Sequence, residues 1–291
     1  MKSGPFEYHA PSAVAEAVDL LSEFGDSAKV LAGGQSLVPM LALRLASFEH
    51  LVDIRRIAGL DRVARGNGGL RVEAKVTESH VERSDEVARA LPLLARATPF
   101  IGHFQIRNRG TLCGSIAHAD PAAEYPAVAV ALGAEMEAAS RGGSRTVPAE
   151  EFFTGLWTTA LRPDELLVAV TFPLWAGRCG FGFQEFARRH GDFAVSGAAV
   201  AIEVDAQDVI TRCAIAFLGM GAIPERASAA EAVARGSKVS EVAAKDLGQV
   251  AVSGLGSVTS DIHGSAAYRR RVGAAMVERA WREATSEVAD A

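Results

Sequence analysis

The 291-residue sequence lacks several features that would point to a particular class of protein. It has 30 Lys and Arg against 35 Asp and Glu, a net charge of −5, so no basic excess is available to attract nucleic acid or an anionic membrane. No apolar run approaches the roughly 18 residues that a membrane-spanning helix needs. The N-terminus has neither the apolar core of a secretion signal nor an Arg-rich amphipathic pattern. We therefore expect a cytoplasmic protein that binds neither nucleic acid nor membrane.

Cysteine is scarce, and its positions exclude two kinds of structural site. Cys113, Cys179 and Cys213 are odd in number and far apart, which excludes a disulfide framework and any CxxC-type zinc or iron–sulfur cradle in this chain. His118 and Asp120 form a His-x-Asp pair, but no third ligand follows at a helpful spacing, and the seven histidines are scattered. The sequence predicts no metal site.

Motifs for catalysis are also missing. The sequence has no GxSxG elbow and no acidic pair in the context of a glycosidase. The glycine pair at 33–34 is not followed by the Gly-Lys-Ser/Thr ending of a P-loop, and it does not fit the dinucleotide pattern GxGxxG. We predict no catalytic acid, base or nucleophile in this chain.

The first part of the chain contains residues that typically start and end helices. Residues 11–25 predict a helix that is capped by Ser12 and ended by Gly25. Strands are predicted at 29–32 and 50–54, with a short helix between them. This pattern indicates a small β-α-β lobe.

The rest of the chain changes pattern twice. The middle part predicts a strand from Gly69, helices at 78–90 and 91–100, a loop at 107–124, and strands at 134–140 and 165–173 separated by the turn-rich stretch 141–153. Because a loop as long as 107–124 is rarely neutral filler, we expect it to be ordered and functional. Beyond a boundary between Phe172 and Gly180, three consecutive strands and then three helices predict an α+β lobe.

The stretch KVLAGGQSLVPML, residues 29–41, is the first candidate binding site. Two glycines let the chain turn sharply and bring backbone N–H groups within reach of a phosphate oxygen. Ser36 adds a hydroxyl, and the helix that starts near Pro39 adds its positive end. A strand–Gly-Gly–helix turn is also common as a purely structural element.

A second candidate lies about eighty residues later, in RNRGTLCGSIAHADPAAEYP. Thr111, Gly114 and Ser115 offer hydroxyls and accessible amides, and Arg107 and Arg109 precede them. Two such loops could clamp the two phosphates of one pyrophosphate. Two unrelated turns would explain the same residues.

The two stretches AGGQSLVPMLALRLA and TLCGSIAHADPAAEYP resemble the FAD-pyrophosphate loops of the flavin-binding medium subunits of molybdenum hydroxylases, the xanthine dehydrogenase and aerobic carbon monoxide dehydrogenase family. The resemblance continues through LRPDELLVAVTFP, GFQEFARRHGDFAVSGAAV and GSAAYRRRVGAAMVERA. These motifs occur in the family's order and span nearly the whole chain.

The resemblance implies an α+β fold of the vanillyl-alcohol oxidase (PCMH-like) type. Two α/β FAD-binding lobes would occupy residues 1–56 and 57–176. A C-terminal α+β domain with a three-stranded antiparallel sheet and helices would occupy 177–291.

The resemblance also implies one non-covalently bound FAD. The pyrophosphate would lie on 32–37 and 111–115, with Ile101 near the flavin, Glu124 near the ribose and Leu161 packed on the flavin system. The complete set of implied FAD contacts is Lys29, Ala32, Gly33, Gly34, Gln35, Ser36, Leu37, Ile101, Thr111, Gly114, Ser115, Ala117, Asp120, Glu124, Leu161 and Phe193.

As a member of this family, the chain would be an electron-transfer subunit. A small partner would carry two [2Fe–2S] clusters and a large partner the molybdenum–pterin centre, in a dimer of heterotrimers. A stand-alone flavin oxidase or reductase of the same fold is the alternative. The resemblance leaves the substrate open among CO, purines, N-heterocycles and aldehydes, and it leaves the electron acceptor open as well.

Three details shape this expectation. Many relatives have glycine where Cys113 stands, so we expect a larger side chain in the second loop. Relatives often have a lysine at Gln184 or Glu185, so a positive charge is missing here. The helix predicted at 265–285 has an apolar face of Ala267, Val272, Ala275, Met276 and Ala280, which we expect to be exposed for docking the iron–sulfur partner.

Overall fold

A computed structural model describes residues 2–66 and 68–290 of the chain. The first lobe is a parallel three-stranded sheet of order β1-β3-β2 with two helices. Its elements are β1 (Glu7–His9), α1 (Val14–Phe24), β2 (Ala28–Leu31), α2 (Leu37–Leu43) and β3 (His50–Asp53). The β-α-β arrangement predicted from the sequence is present.

Helix α1 buries one face of Ala17, Val18 and Leu21 against this sheet, as its apolar spacing predicts. Gly25 ends it with a positive φ of 51°. The predicted cap is wrong: Ala13 occupies the N-cap position. Ser12 instead donates its N–H and its hydroxyl to the carboxylate of Glu16.

The second lobe is built on a five-stranded antiparallel sheet of order β4-β5-β10-β6-β7. Its strands are β4 (Val63–Gly66), β5 (Gly69–Glu73), β6 (Glu135–Ser140), β7 (Gly143–Pro148) and β10 (Leu166–Phe172), and a small hairpin adds β8 (Phe153–Gly155) and β9 (Thr158–Thr159). The sequence did not reveal β4 or β7. Both are edge strands with mostly exposed side chains, so apolar alternation cannot mark them.

Short helices connect the strands of this sheet. They are α3 (Glu78–Arg83), α4 (Asp85–Ala90), α5 (Pro92–Ala97), α6 (Phe104–Arg107), α7 (Leu112–His118), α8 (Glu124–Leu132) and α9 (Ala149–Phe152). The helix predicted at 78–90 is divided because the Ser84 hydroxyl accepts the N–H of Val87 and starts a new helix. The loop predicted at 107–124 is wrong in part, since α7 lies inside it.

The C-terminal domain carries the predicted three long antiparallel strands and a short fourth. Its elements are β11 (Arg178–Phe186), β12 (Ser196–Val204), β13 (Ile210–Leu218), β14 (Glu225–Arg226), α10 (Ser228–Ala234), α11 (Ala244–Ser253) and α12 (Ala266–Asp290). One face of the sheet packs on α5 and α8 of the second lobe, and the other packs on α10 and α12. The sheet is therefore buried on both sides.

Helix α12 lies directly on β11, because two glycines of that strand leave room for its backbone. A Cβ on Gly180 would overlap the carbonyl oxygen of Ala284, and one on Gly182 would overlap that of Ala280. The expectation of a free apolar face on this helix is wrong for four of its five residues. Met276 and Ala280 are buried in the chain's own core, Val272 and Ala275 are partly buried against it, and Ala267 is exposed. None of the described helices is both long and apolar enough to span a bilayer.

Candidate functional site

The first glycine loop, residues 32–37, connects the end of β2 to the start of α2. Gly34 has a φ of 74°, which favours glycine, and the Gln35 side chain donates to the carbonyl of Gly33 at 2.9 Å. Within the described ranges, the backbone N–H groups of 33–36 donate no hydrogen bond to the protein. Helix α2 starts at Leu37, two residues before Pro39. The loop thus gathers free donors at the positive end of a helix, as an oxyanion requires.

The second stretch is a capped helix start, not the predicted open loop. Thr111 is the N-cap of α7, and its Oγ1 accepts the N–H of Gly114 at 3.0 Å. Its carbonyl accepts the N–H of Ser115, also at 3.0 Å. The amides of Gly114 and Ser115, expected to be free, are therefore satisfied within the chain. What remains available is the half-buried hydroxyl side chain of Ser115.

The two stretches touch each other across about eighty positions of sequence. A Cβ on Gly33 would overlap the carbonyl oxygen of Arg109 and come within 2.7 Å of the Cα of Gly110. A Cβ on Gly114 would lie 2.7 Å from Thr111 Oγ1 and 3.6 Å from the Cβ of Ala32. The glycines thus allow close packing of one loop on the other, and the pair forms a single surface.

Arg107 does not face this surface. Its guanidinium is buried, pairs with both carboxylate oxygens of Glu82 at 2.9 Å, and donates to the carbonyl of Ile101 at 3.0 Å. Arg107 therefore holds the Ile101 turn in place rather than offering charge to a phosphate.

Cys113 does not enlarge the second loop, contrary to the expectation from sequence. Its side chain is 2% exposed and lies in the core, with the thiol directed at the carbonyl of Val72 at 3.6 Å. Burial raises the pKa of this thiol far above its ordinary value.

A polar group lies beyond α7, around His118 and Asp120. The Trp157 indole N–H donates to a carboxylate oxygen of Asp120 at 3.3 Å, and its ring stacks on His118 with 6.4 Å between centroids. Burial lowers the pKa of His118; the charge of Asp120 opposes this shift, and that of Lys29 adds to it. Lys29 and Asp120 thus both lie near His118, and half-buried Ala117 precedes His118 in the same helix turn.

Trp157 is a residue that the sequence analysis missed. It has a φ of 53°, and together with Leu156 it forms a turn of two large apolar side chains that are both more than half exposed. An adjacent Leu-Trp pair between two predicted strands is the signal that could have identified it.

The predicted contacts of the flavin ring lie near the junction between the C-terminal domain and the second lobe. Gly191, with a φ of 83°, leaves room for the ring of His103, which its Cβ would approach to 2.6 Å. This contact joins the loop of Phe193 to the turn of Ile101. Phe193 is 76% exposed, whereas Ile101 is nearly buried. Leu161 is half-buried at the edge of the core, and its N–H donates to Thr159 Oγ1 at 3.3 Å.

Three buried carboxyl groups lie close to the second loop. Burial raises the pKa of Glu78 to about 8, and it also raises the pKa values of Glu124 and Glu185, whose neighbouring carboxyl groups disfavour each other's ionisation. A Cβ on Gly110 would lie 2.6 Å from the Glu78 carboxylate, so this cluster abuts the loop. Within the described residues, Oε2 of Glu78 and Oε2 of Glu185 have no hydrogen-bond partner.

The cluster changes the interpretation of two residues. Glu124, expected near a ribose, is only 8% exposed and faces Glu185. The carboxyl of Glu185 adds to the acidic interior. Sequence reasoning missed Glu78, because nothing in its local pattern shows that it folds under Gly110.

An open cleft of about 770 Å³ lies elsewhere, between β11 and the end of α12. Among its lining side chains, Arg96 pairs with Glu287 at 2.8 Å, and Gln184 donates to Glu283. None of the predicted FAD contacts lines it. We therefore place the site at the paired loops and not in this cleft.

Paired glycine loops between a parallel lobe and an antiparallel lobe define a flavin-binding protein of the vanillyl-alcohol oxidase type. Residues 4–175 match the family described as the FAD binding domain in molybdopterin dehydrogenase. Residues 181–284 match the CO dehydrogenase flavoprotein C-terminal domain. The chain belongs to the FAD-binding medium subunits of the molybdenum hydroxylase family, the flavoprotein components of multi-subunit oxidoreductases.

Individual relatives agree with this assignment over nearly their full lengths. The chain is 40% identical over 279 residues to the 6-hydroxypseudooxynicotine dehydrogenase complex subunit alpha of Paenarthrobacter nicotinovorans, covering 96% of this chain and 94% of that protein. It is 35% identical over 275 residues to the carbon monoxide dehydrogenase medium chain of Hydrogenophaga pseudoflava, covering 94% and 95%.

Solved structures show the same fold. Carbon monoxide dehydrogenase from Hydrogenophaga pseudoflava, in a form that lacks the Mo-pyranopterin moiety of its molybdenum cofactor, aligns with a TM-score of 0.93 at 36% identity over 99% of each chain. Quinoline 2-oxidoreductase from Pseudomonas putida 86 aligns with a TM-score of 0.92 at 35% identity, again over 99% of each chain.

The residues present fit FAD. The free N–H donors of 33–36 suit the pyrophosphate oxygens, and the glycines keep the surface of the paired loops open for close approach. Exposed Phe193 offers an aromatic face, and its loop contacts the Ile101 turn through Gly191 and His103.

Proposed function

We propose that this subunit holds FAD as the electron carrier between the [2Fe–2S] clusters of a small partner subunit and an external acceptor. A large partner subunit would hold the molybdenum–pterin centre at which the substrate is hydroxylated. The observation that supports this proposal most directly is the first glycine loop, whose N–H donors are free and which packs against the capped start of α7. The three cysteines are separate and free, so they provide no iron–sulfur ligand set.

The roles of the chain's residues follow from their places in the fold. Bound FAD supplies the exchange between one-electron and two-electron steps. Residues 32–37, with Thr111, Gly114 and Ser115, would hold the pyrophosphate. Ile101, Leu161 and Phe193 would orient the ring system, and a polar set would lie along the rest of the cofactor: Lys29, Ala117, Asp120 and Glu124. No residue of this set needs to transfer a proton as a catalyst.

We propose the division into lobes at 1–56 and 57–176 and a C-terminal domain at 177–291, with FAD between the first two. The assembly would be a dimer of heterotrimers in the cytoplasm. Three free cysteines suit that reducing compartment, and the names of the relatives describe subunits of complexes.

We expect the FAD to be bound without a covalent link. The thiol nearest the paired loops, that of Cys113, is buried in the core and cannot reach a flavin ring. Acid precipitation of the purified protein should therefore release all of the yellow colour into the supernatant. Flavin that stays in the washed pellet would contradict this expectation.

Flavin reduction should depend on the partner subunits. Under anaerobic conditions, a substrate should bleach the flavin absorbance of the heterotrimer within seconds, while the isolated FAD-loaded chain should show no reduction above its slow background. The test panel starts with N-heterocycles, because relatives are named for nicotine, caffeine and quinoline, and adds purines, aldehydes and CO. Dithionite serves as the control that the isolated chain's flavin is reducible.

Reduction of the isolated chain by an organic substrate at the rate of the complex would overturn the proposal. The stand-alone oxidase would then replace it. A complex whose flavin stays oxidised while its iron–sulfur clusters are reduced would also contradict electron transfer through this subunit.

A further inference from the structure

A cluster of two imidazoles and a carboxylate lies outside the FAD region, on the parallel sheet of the first lobe. Glu7 and His9 stand two positions apart on β1, so their side chains leave the same face of that strand. His50 in β3 is the parallel register partner of Glu7. His9 and His50 are far apart in sequence, so motif spacing could not reveal that they meet.

The three donor atoms surround a common point. His9 Nε2 and His50 Nδ1 are 3.1 Å apart, while Glu7 Oε2 lies 3.6 Å from the His50 atom and 4.0 Å from the His9 atom. A point about 2.1 Å from all three atoms exists in the plane that these distances define, and ~2.0–2.2 Å is the range of zinc bonds to His nitrogen and carboxylate oxygen. Tetrahedral zinc bonds of ~2.1 Å place ligand atoms about 3.4 Å apart, so the exposed Glu7 carboxylate has to move about half an ångström toward His9.

A hydrogen bond between the imidazoles accounts for only part of this geometry. It would use one nitrogen of each ring, but the carboxylate oxygen is too far from both for a hydrogen bond of its own. A cation that accepts all three atoms explains why the carboxylate turns toward the two rings.

The surroundings hold the rings and leave an entrance. Phe24, the last residue of α1, stacks on the His50 ring at 3.7 Å with an interplanar angle of 9°, and lies 5.2 Å from the His9 ring. The two imidazoles are largely buried, whereas the Glu7 side chain is 74% exposed. A metal could enter from the side of Glu7 and keep a water as its fourth ligand.

We propose that Glu7, His9 and His50 form a zinc site that binds the edge strand β1 to the central strand β3. Two neutral imidazoles and one carboxylate are a ligand set that zinc takes in four-coordinate geometry. β1 is an edge strand of only three residues, and a metal that binds the folded lobe but not the unfolded chain stabilises it by mass action. The site is structural, and it is independent of the proposed electron transfer.

The test uses the full-length, FAD-loaded chain after removal of metals with a chelator. Zn²⁺ is added in competition with a chromophoric chelator, and Co²⁺ is used as a visible probe of tetrahedral geometry. The variants are Glu7→Gln, His9→Gln and His50→Gln. His263→Ala is the matched control, because His263 is an exposed histidine on a distant loop.

The wild type and His263→Ala should bind one Zn²⁺ and one Co²⁺ per chain, show the visible bands of tetrahedral cobalt, and melt several degrees higher with Zn²⁺. Loss of an imidazole ligand should weaken zinc more than the roughly 10–100-fold that loss of an outer-shell partner costs. Glu7→Gln should weaken zinc about 10-fold and leave the metal-free melting point unchanged, since its side chain is exposed. Flavin content should be the same in every variant, which separates this site from the FAD site.

Equal zinc affinity in the wild type and in Glu7→Gln, His9→Gln and His50→Gln would overturn the site. Cobalt spectra of octahedral type in the wild type would overturn it as well, as would a melting point that Zn²⁺ does not raise.

Discussion

Gly33→Ala should bind FAD at least about 100-fold more weakly than the wild type and be purified almost free of flavin. A single methyl group on Gly33 overlaps the carbonyl of Arg109, so one loop must move away from the other. A displacement of about 1 Å exceeds the roughly 0.5 Å range of N–H···O distances, so the donors of 33–36 would lose their common target. Overpacking of this kind also costs about 1–3 kcal/mol of stability.

The measurement is FAD per chain after gel filtration, together with titration of the flavin-free protein with FAD. Gly256→Ala is the matched control, because a Cβ on Gly256 meets no atom within 4 Å. Far-UV circular dichroism shows whether the variant has folded. A folded Gly33→Ala protein with full flavin content would show that the contact between the loops does not shape the pyrophosphate site.

The free energy of unfolding should fall as the pH rises from about 5 to 9, because of the buried carboxyl cluster. The pKa of Glu78 is raised from the ordinary 4.5 to about 8, and burial also raises the pKa values of Glu124 and Glu185. The folded state therefore holds protons that the unfolded chain has already lost, so stability decreases with pH in this window. Below about pH 4.5, the cluster's full contribution to the free energy of unfolding is present. This contribution is lost as the pH rises through the pKa values of the three carboxyl groups in the folded protein.

Glu185→Gln should make the free energy of unfolding fall less steeply with pH, and it should stabilise the protein at pH 8. An amide cannot ionise, and it can still donate a hydrogen bond to Glu124. Because the pair shares one proton whose retention is unfavourable at pH 8, and about 1.4 kcal/mol corresponds to one pKa unit, we expect a gain in the free energy of unfolding on the order of a few kcal/mol. Urea unfolding at pH 5, 7 and 9 measures it, with the exposed Glu86→Gln as the control. If the free energy of unfolding changes equally with pH in the wild type and in Glu185→Gln, these carboxyl groups do not keep their protons on folding.

Much of the fold was predictable from local pattern. The long strands β11, β12 and β13 carry enough consecutive apolar residues to be recognised, and the predicted β-α-β opening is present. Helix α7 was missed because its seven residues are mostly small or buried, and a 3.6-residue apolar period cannot show itself over two turns. Its N-terminal signal, Thr111 three residues before Gly114, was interpreted as part of a loop.

The site was predictable only as separate parts. Gly33 and Gly34 marked the first loop because their conformational freedom is a local property. Two other features depend on contacts between distant segments of the chain. Gly33 packs on Arg109, and the Arg107 guanidinium is paired with Glu82 instead of being available to a phosphate. The acidic interior has the same origin, since Glu185 comes near Glu124, which also lies near Glu78, only after the C-terminal domain has packed on the second lobe.

The burial of the C-terminal sheet on both faces limits how this protein can be divided in the laboratory or rearranged by evolution. A fragment that starts near residue 177 would uncover the face that normally covers α5 and α8, including the side chains of Phe181 and Phe183. The shortened FAD region would uncover the opposing apolar helices, so both pieces would aggregate. Gene rearrangements that keep function should therefore carry the two regions together, and new fusion points should lie at the chain ends rather than at this junction.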